Sequence, residues 1–363
     1  MNSTQLLNRA GQSLWLDNIT RDLITSGTLR RYIEELTVTG LTSNPTIFDQ
    51  AMKRGSAYDE DIRRLAASGL AAEKLFFEIA LEDLKRAADL FRPVHERTAG
   101  VDGWVSLEVS PRYAYDTAAT LAEARDLHAR ADRPNLFIKI PGTREGLPAI
   151  ESAIFAGVPV NVTLLFSPEQ YLAAAQAWLR GIERRIEAGL NPCVASVASL
   201  FLSRWDVAVA QQVPASLANR LGVAIGRRAY RAYCELMASP RWLRVLNAGA
   251  RPQRLLFAST GTKDPKASDV MYVEGLVAPL TVNTMPEGTL KAFADHGRVG
   301  EPLGADGGDG EQVLEEFRRA GVDLAALATR LQSEGAQAFV KSWDELLGVI
   351  AGKGTALARG AAG

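Results

Sequence analysis

The chain has 363 residues, 47% of them hydrophobic, which is enough apolar material for a sizeable core. Lys plus Arg number 41 and Asp plus Glu 42, for a formal net charge of −1, and the charges are scattered rather than blocked. That excludes a broad basic field for nucleic acid, and no run approaches the ~18 to 20 consecutive apolar residues that span a bilayer.

Taken in chain order, short β-prone runs alternate with longer helical stretches. The expected strands are residues 14–18, 41–44, 105–109, 136–140, 160–166, 193–199, 255–259 and about 276–283. Most are apolar on both faces, as suits a parallel sheet buried on both sides. Between them, residues 71–91, 116–131, 147–155 and 168–188 carry apolar positions at three- and four-residue steps, the helical period. Pro168 after Ser167 is a helix start signal. Strand and helix alternating about eight times predicts a (β/α)8 TIM barrel of class α/β. A doubly wound open sheet is the alternative, but no Gly-rich fingerprint follows a strand start. Residues 207–242 read as additional helices after the sixth strand, broken near Pro214 and Pro240, and residues 311–350 as two or three closing helices. The expected organisation is one domain over residues 1–352 and a disordered tail over 353–363, small, flexible and basic.

The opening MNSTQLLNRAGQSLW lacks the charged start and apolar run of a signal peptide. The two cysteines, Cys193 and Cys234, exclude a disulfide framework and are expected to be buried small hydrophobes. A cytoplasmic protein is the expectation. None of the five residues His95, His128, Cys193, Cys234 and His296 lies within four positions of another, so no chelating pair is legible and no metal is expected.

The chemistry must then come from lysine, carboxylates and hydroxyls. Barrel enzymes work at the C-terminal ends of their strands. There, polar residues interrupt apolar runs: Asp17, Asn44, Glu108, Lys139, Asn161, Thr163, Ser199 and Ser259, with Arg204 just after the sixth strand. Buried polar groups must be paired or functional. Lys139 in LFIKIPG is flanked by Ile138 and Ile140. An amine enclosed by aliphatic groups loses its proton more readily and can attack a carbonyl. A lysine that reaches solvent, or one paired with a carboxylate, is the other reading. Glu108 and Asp17 are carboxylates suited to move protons, or else satisfied buried acids, either one salt-bridged to Lys139 itself. Thr163 can hold a water between Glu108 and an imine carbon, or be an ordinary β-branched strand residue. SLFLSRWD and ASTGTKDP suggest a phosphate site: Arg204 for a bidentate grip, Ser259 and Thr260 for hydroxyls, Lys263 as a point charge. An Arg204–Asp206 surface ion pair is the competing assignment.

Six segments, LWLDNI, LTSNPTIF, LEVSP, LFIKIPGT, VNVTLLFS and ASLFLSRWD, occur in this order. Together they closely resemble the transaldolase family, over about residues 12–350. TVNTMP and FVKSWDELL resemble its bacterial long-chain branch. The resemblance implies a Schiff-base lysine at Lys139 and an acid/base carboxylate at Asp17. It implies a water-positioning pair at Glu108 and Thr163, amides that orient substrate at Asn44 and Asn161, and sugar and phosphate contacts at Ser199 and Arg204. It implies transfer of a dihydroxyacetone unit between phosphorylated sugars with no cofactor, by a monomer or a homodimer. A class I fructose-6-phosphate aldolase activity and a non-catalytic sugar-phosphate-binding barrel are the alternatives. One departure stands out. Better-known members of the family carry an arginine two residues after the serine matching Ser259, where this chain has Gly261. The second phosphate-binding charge is then missing unless Lys263 supplies it.

Overall fold

In the computed structural model of the chain, which describes residues 2–360, eight parallel strands close into a barrel in sequence order. They are β1 (Ser13–Asp17), β2 (Val38–Thr42), β3 (Trp104–Glu108), β4 (Leu136–Pro141), β5 (Val160–Leu165), β6 (Ser196–Phe201), β7 (Gln253–Ala258) and β8 (Val282–Met285). β8 pairs with β1 and completes the ring. The fold is a (β/α)8 TIM barrel of class α/β, as the alternation of elements predicts.

The helices are α1 (Ser3–Arg9), α2 (Arg21–Thr25), α3 (Thr28–Glu35), α4 (Pro45–Arg54), α5 (Asp59–Ala67), α6 (Ala72–Arg97), α7 (Thr117–Ala131) and α8 (Gly146–Phe155). They continue with α9 (Pro168–Glu187), α10 (Ser203–Val209), α11 (Leu221–Met237), α12 (Pro240–Asn247), α13 (Met271–Glu274), α14 (Glu287–His296), α15 (Gly310–Arg319) and α16 (Leu324–Gly360). α9 begins as Ser167 and Pro168 predict: Ser167 Oγ accepts from Gln170 N, and the Gln170 side chain returns a bond to the Ser167 N–H. α10 to α12 are the additional helices after the sixth strand, and α15 and α16 close the fold. Among the described residues no helix is long and apolar enough to cross a membrane.

Several boundaries move. β6 starts at Ser196 rather than at residue 193, because Asn191 and Pro192 turn the chain there: Cys193 N donates to Asn191 Oδ1 and Val194 N to Pro192 O. β8 starts at Val282, not near 276, because Leu280 is left-handed (φ 61°) and Thr281 Oγ1 donates back to Ala278 O. The expected break at residue 353 is absent as well. α16 runs to Gly360, tied to the body by Lys353 Nζ, which bonds Gly55 O (2.8 Å) and Asp59 Oδ1 (2.6 Å). The rest of the expected tail, residues 361–363, lies outside the described residues. The cysteines also depart from expectation. Cys193 is exposed in the turn before β6 and Cys234 is half-buried on α11.

Strand side chains alternate between the helix layer and the barrel interior, and the interior has two tiers. The lower tier is apolar: Trp15, Trp104, Phe137, Val197, Leu256 and Val282 form a cluster of their own. Trp104 and Phe137 stack with ring centroids 4.1 Å apart. Gly40 makes room for this plug, since a Cβ there would lie 2.6 Å from the Trp15 ring. Beneath it, Asp102 accepts bonds from Trp15 Nε1 (2.9 Å) and Arg254 Nη2 (3.0 Å), so that buried charge is paired. The upper tier, further along the strands, carries the polar residues Asp17, Thr42, Glu108, Lys139, Ser199 and Thr284.

Candidate active site

Register puts the upper tier together. Glu108 pairs with Lys139 across β3 and β4, Lys139 with Asn161 across β4 and β5, and Pro141 with Thr163. Neighbours in register on parallel strands point the same way, so Glu108, Lys139 and Asn161 stand side by side inside the barrel. Lys139 Nζ lies 3.0 Å from Glu108 Oε2 and donates to Ser43 O at 2.8 Å. Both side chains are almost wholly buried.

This corrects the expected surroundings of the amine. Ile138 and Ile140 belong to the core between barrel and helices. Alternation turns them away from Lys139, whose own neighbours are a carboxylate and a carbonyl. The carboxylate-paired reading of Lys139 and Glu108 is therefore realised in geometry.

Burial pushes the Glu108 carboxyl above its ordinary range, against the pull of the Lys139 ammonium. Its Oε1 has no protein hydrogen-bond partner. Asp17, at the end of β1, is raised by burial too, with Lys139 opposing. Its Oδ1 accepts from Thr42 Oγ1 at 2.9 Å, and Thr42 Oγ1 lies 2.7 Å from Thr284 Oγ1. Two carboxyls that hold their protons more tightly than usual thus flank one amine.

Above them opens a cavity of about 280 Å³, lined in its depth by Asp17, Lys139, Thr163 and Ser199. That is the scale of a small-metabolite pocket. Thr163 Oγ1 is buried and has no hydrogen-bond partner. Ser199 Oγ donates to Asn161 Oδ1 at 2.7 Å, and Asn161 Nδ2 donates to Ser106 Oγ at 3.2 Å. Asn161 is thus held below the cavity and is not on its wall. Asn44 is on the wall and also starts α4, where its Oδ1 accepts from Ile47 N with Pro45 in the first turn.

Arg204, Ser259, Gly261 and Lys263 line the opposite part of the cavity. The loops after β6 and β7 are stitched together: Ser203 N donates to Ser259 O (3.1 Å) and the two hydroxyls meet at 2.8 Å. Ser259 is left-handed (φ 55°). The competing Arg204–Asp206 ion pair is not formed. Asp206 turns inward to start α11, accepting from Leu221 N, Gly222 N and Tyr272 Oη, while Arg204 is exposed. At Gly261 a Cβ would lie 3.1 Å from Pro286 Cγ, so an arginine there would press on the start of α14.

The wall residues that were not anticipated include Thr42, Thr284, Phe201 and Phe339. Thr42 and Thr284 were within reach, being strand-end hydroxyls in LTSNP and TVNTMP. Phe339 arrives from α16, with its ring 6.5 Å from that of Phe201, and nothing local in the sequence signals it.

A family model described as Transaldolase/Fructose-6-phosphate aldolase matches residues 14–350. The chain is 47% identical over 356 residues to a protein named transaldolase from Thermobifida fusca (strain YX), covering 96% of this chain and 97% of that one. It is 45% identical over 353 residues to a transaldolase from Parafrankia sp. (strain EAN1pec), covering 95% and 96%. It is 45% identical over 358 residues to a transaldolase from Thiobacillus denitrificans (strain ATCC 25259 / T1), covering 96% of this chain and all of the relative. Shared length and sequence lead to one conclusion: this chain belongs to the transaldolase/fructose-6-phosphate aldolase family.

Proposed function

We propose that this chain is a transaldolase of the non-oxidative pentose phosphate pathway, acting in the cytoplasm on phosphorylated sugars without a cofactor. The observation that carries the proposal is the buried Lys139 amine at the foot of the cavity, 3.0 Å from Glu108 and with Asp17 nearby. The amine nitrogen adds to the ketone carbon of a ketose phosphate, such as sedoheptulose 7-phosphate or fructose 6-phosphate. The resulting carbinolamine loses water to give a protonated imine. Glu108 and Thr163 hold the water that carries the proton to the departing hydroxyl, a role suited to their two unpartnered oxygens.

Asp17 then removes the proton of the hydroxyl on the far carbon of the bond to be cut. That oxygen becomes a carbonyl, the carbon–carbon bond breaks, and its electron pair flows into the imine. An aldose phosphate departs, and a dihydroxyacetone enamine stays on Lys139. The enamine carbon attacks the aldehyde of a second aldose phosphate, glyceraldehyde 3-phosphate or erythrose 4-phosphate. Asp17 returns the proton to the new alkoxide, and water releases the product ketose. Asn44 and Ser199 orient the sugar hydroxyls and the imine, with Asn161 holding the Ser199 hydroxyl in place, while Arg204, Ser259 and Lys263 bind the phosphate. The relatives named transaldolase support this reading.

Borohydride reduction in the presence of fructose 6-phosphate tests it. A covalent mass increase on the peptide containing Lys139 is expected, and folded protein left unlabelled would refute the assignment. Product analysis with and without an acceptor aldose separates transfer from simple aldol cleavage.

A further inference from the structure

β5 does not run straight to its end. Its register with β6 shifts between Val162 and Leu165, and Leu164 between them is left-handed at φ 59°. For a bulky residue without a glycine's freedom that backbone is strained and must be held by its surroundings. Thr163 immediately precedes it. Thr163 Oγ1 has no hydrogen-bond partner of its own, so no hydrogen bond corrects its aim if the backbone shifts.

The holding group comes from the C-terminal helix. Gln332 Nε2 donates to Leu164 O at 2.9 Å and to Gly142 O at 3.1 Å. One amide thereby ties the end of β5, next to Thr163, to the end of β4, three residues beyond Lys139. Gly142 N in turn donates to Thr163 O at 2.7 Å. One turn further along α16, Gly335 lies against the same spot, where a Cβ would meet Leu164 Cδ2 at 3.1 Å and Phe166 Cζ at 3.3 Å. A second turn on, Phe339 of the same helix lines the cavity.

We propose that Gln332 is a positioning residue for the reaction: by clasping the strained Leu164 turn to the end of β4, it aims the Thr163 hydroxyl at the Lys139 imine. The proposal rests on the transaldolase reading above. Gln332 touches no substrate. Its effect passes through the backbone carbonyl that its amide holds. Displacing a reacting group by about 1 Å costs on the order of a hundredfold in rate, so a small relaxation at Leu164 is amplified in turnover.

The test uses the full chain carrying Gln332→Met, which keeps the length of the side chain and removes both donors. The expected result is a ten- to hundredfold fall in kcat, with KM for donor and acceptor within about twofold of the parent. Borohydride trapping should be slower but reach the same final extent. A kcat equal to that of the parent, or a KM that rises in proportion to the loss, would overturn the proposal. Gly335→Ala supplies a second arm in which alanine favours the helix but presses on Leu164. It should unfold at the parent temperature or above while kcat falls, and undiminished turnover there also overturns it. The parent chain is measured alongside. A parent without transferase activity would sink the transaldolase reading, whereas an active parent with unimpaired variants would sink only the role of Gln332.

Discussion

Glu108 and Lys139 are register partners on adjacent strands, and their charged groups meet 3.0 Å apart beneath the cavity. The pair fixes where the amine sits and gives it a neighbour for exchanging protons. Its two members fail differently when changed.

Lys139→Arg should keep the fold and abolish turnover and trapping, because guanidinium stays protonated and cannot add to a carbonyl. Circular dichroism and borohydride labelling check it, and retained turnover would remove Lys139 from the chemistry.

Glu108→Gln keeps the shape and removes the proton carrier. A fall in kcat of about 10²- to 10⁴-fold is expected, with trapping at Lys139 slowed rather than lost. A variant that forms and hydrolyses the imine at the parent rate would assign Glu108 a structural role only.

Arg204→Ala should raise KM for phosphorylated ketoses by about ten- to a hundredfold, from the loss of charge-assisted bonds worth ~1.5–3 kcal/mol. Dihydroxyacetone, which has no phosphate, should be nearly unaffected. Steady-state kinetics on both donors decides, and equal effects would place Arg204 outside the phosphate site.

Glu123 on α7 offers a pH test of stability away from the reaction. It accepts a bond from Ser110 N just beyond β3, and burial pushes its carboxyl up to about 7, with Glu73 adding to the shift. A carboxyl raised on folding stabilises fully below its unfolded value and loses that contribution as pH rises through the folded one. The parent should therefore lose stability relative to Glu123→Gln between about pH 4.5 and 7. At ~1.4 kcal/mol per pKa unit, the change is at most ~3.5 kcal/mol. Thermal unfolding across that range checks it, and parallel curves for the two proteins would contradict the assignment.

Gly40→Ala drives a Cβ to within 2.6 Å of the Trp15 ring in the lower tier. Overpacking of this kind costs about 1–3 kcal/mol. Denaturant titration should show the loss, and an unchanged midpoint would mean that the plug has room to shift.

Much of this architecture is legible in the residues because a parallel barrel strand is buried on both faces, so eight apolar runs stand out and the polar letters within them mark the upper tier. Lys139 shows where such reading stops. The isoleucines beside it in sequence lie on the other side of the strand, and its true companion, Glu108, sits 31 positions earlier. Asp206 looks like a partner for Arg204 at two residues' distance, but the start of α11 claims it first. Gln332 and Phe339 are invisible at this level. Each acts across more than a hundred residues of chain, and neither interrupts a pattern. The helical end of α16 is decided in the same way, by Lys353 meeting Asp59 rather than by local composition.

The aromatic lower tier has a consequence for the order of events. A cylinder stoppered at one end is entered and left by the same door. The first aldose must therefore clear the passage before the second can approach the enamine. Double-displacement kinetics, with parallel lines in reciprocal plots, would then be a property of the stopper as much as of the lysine.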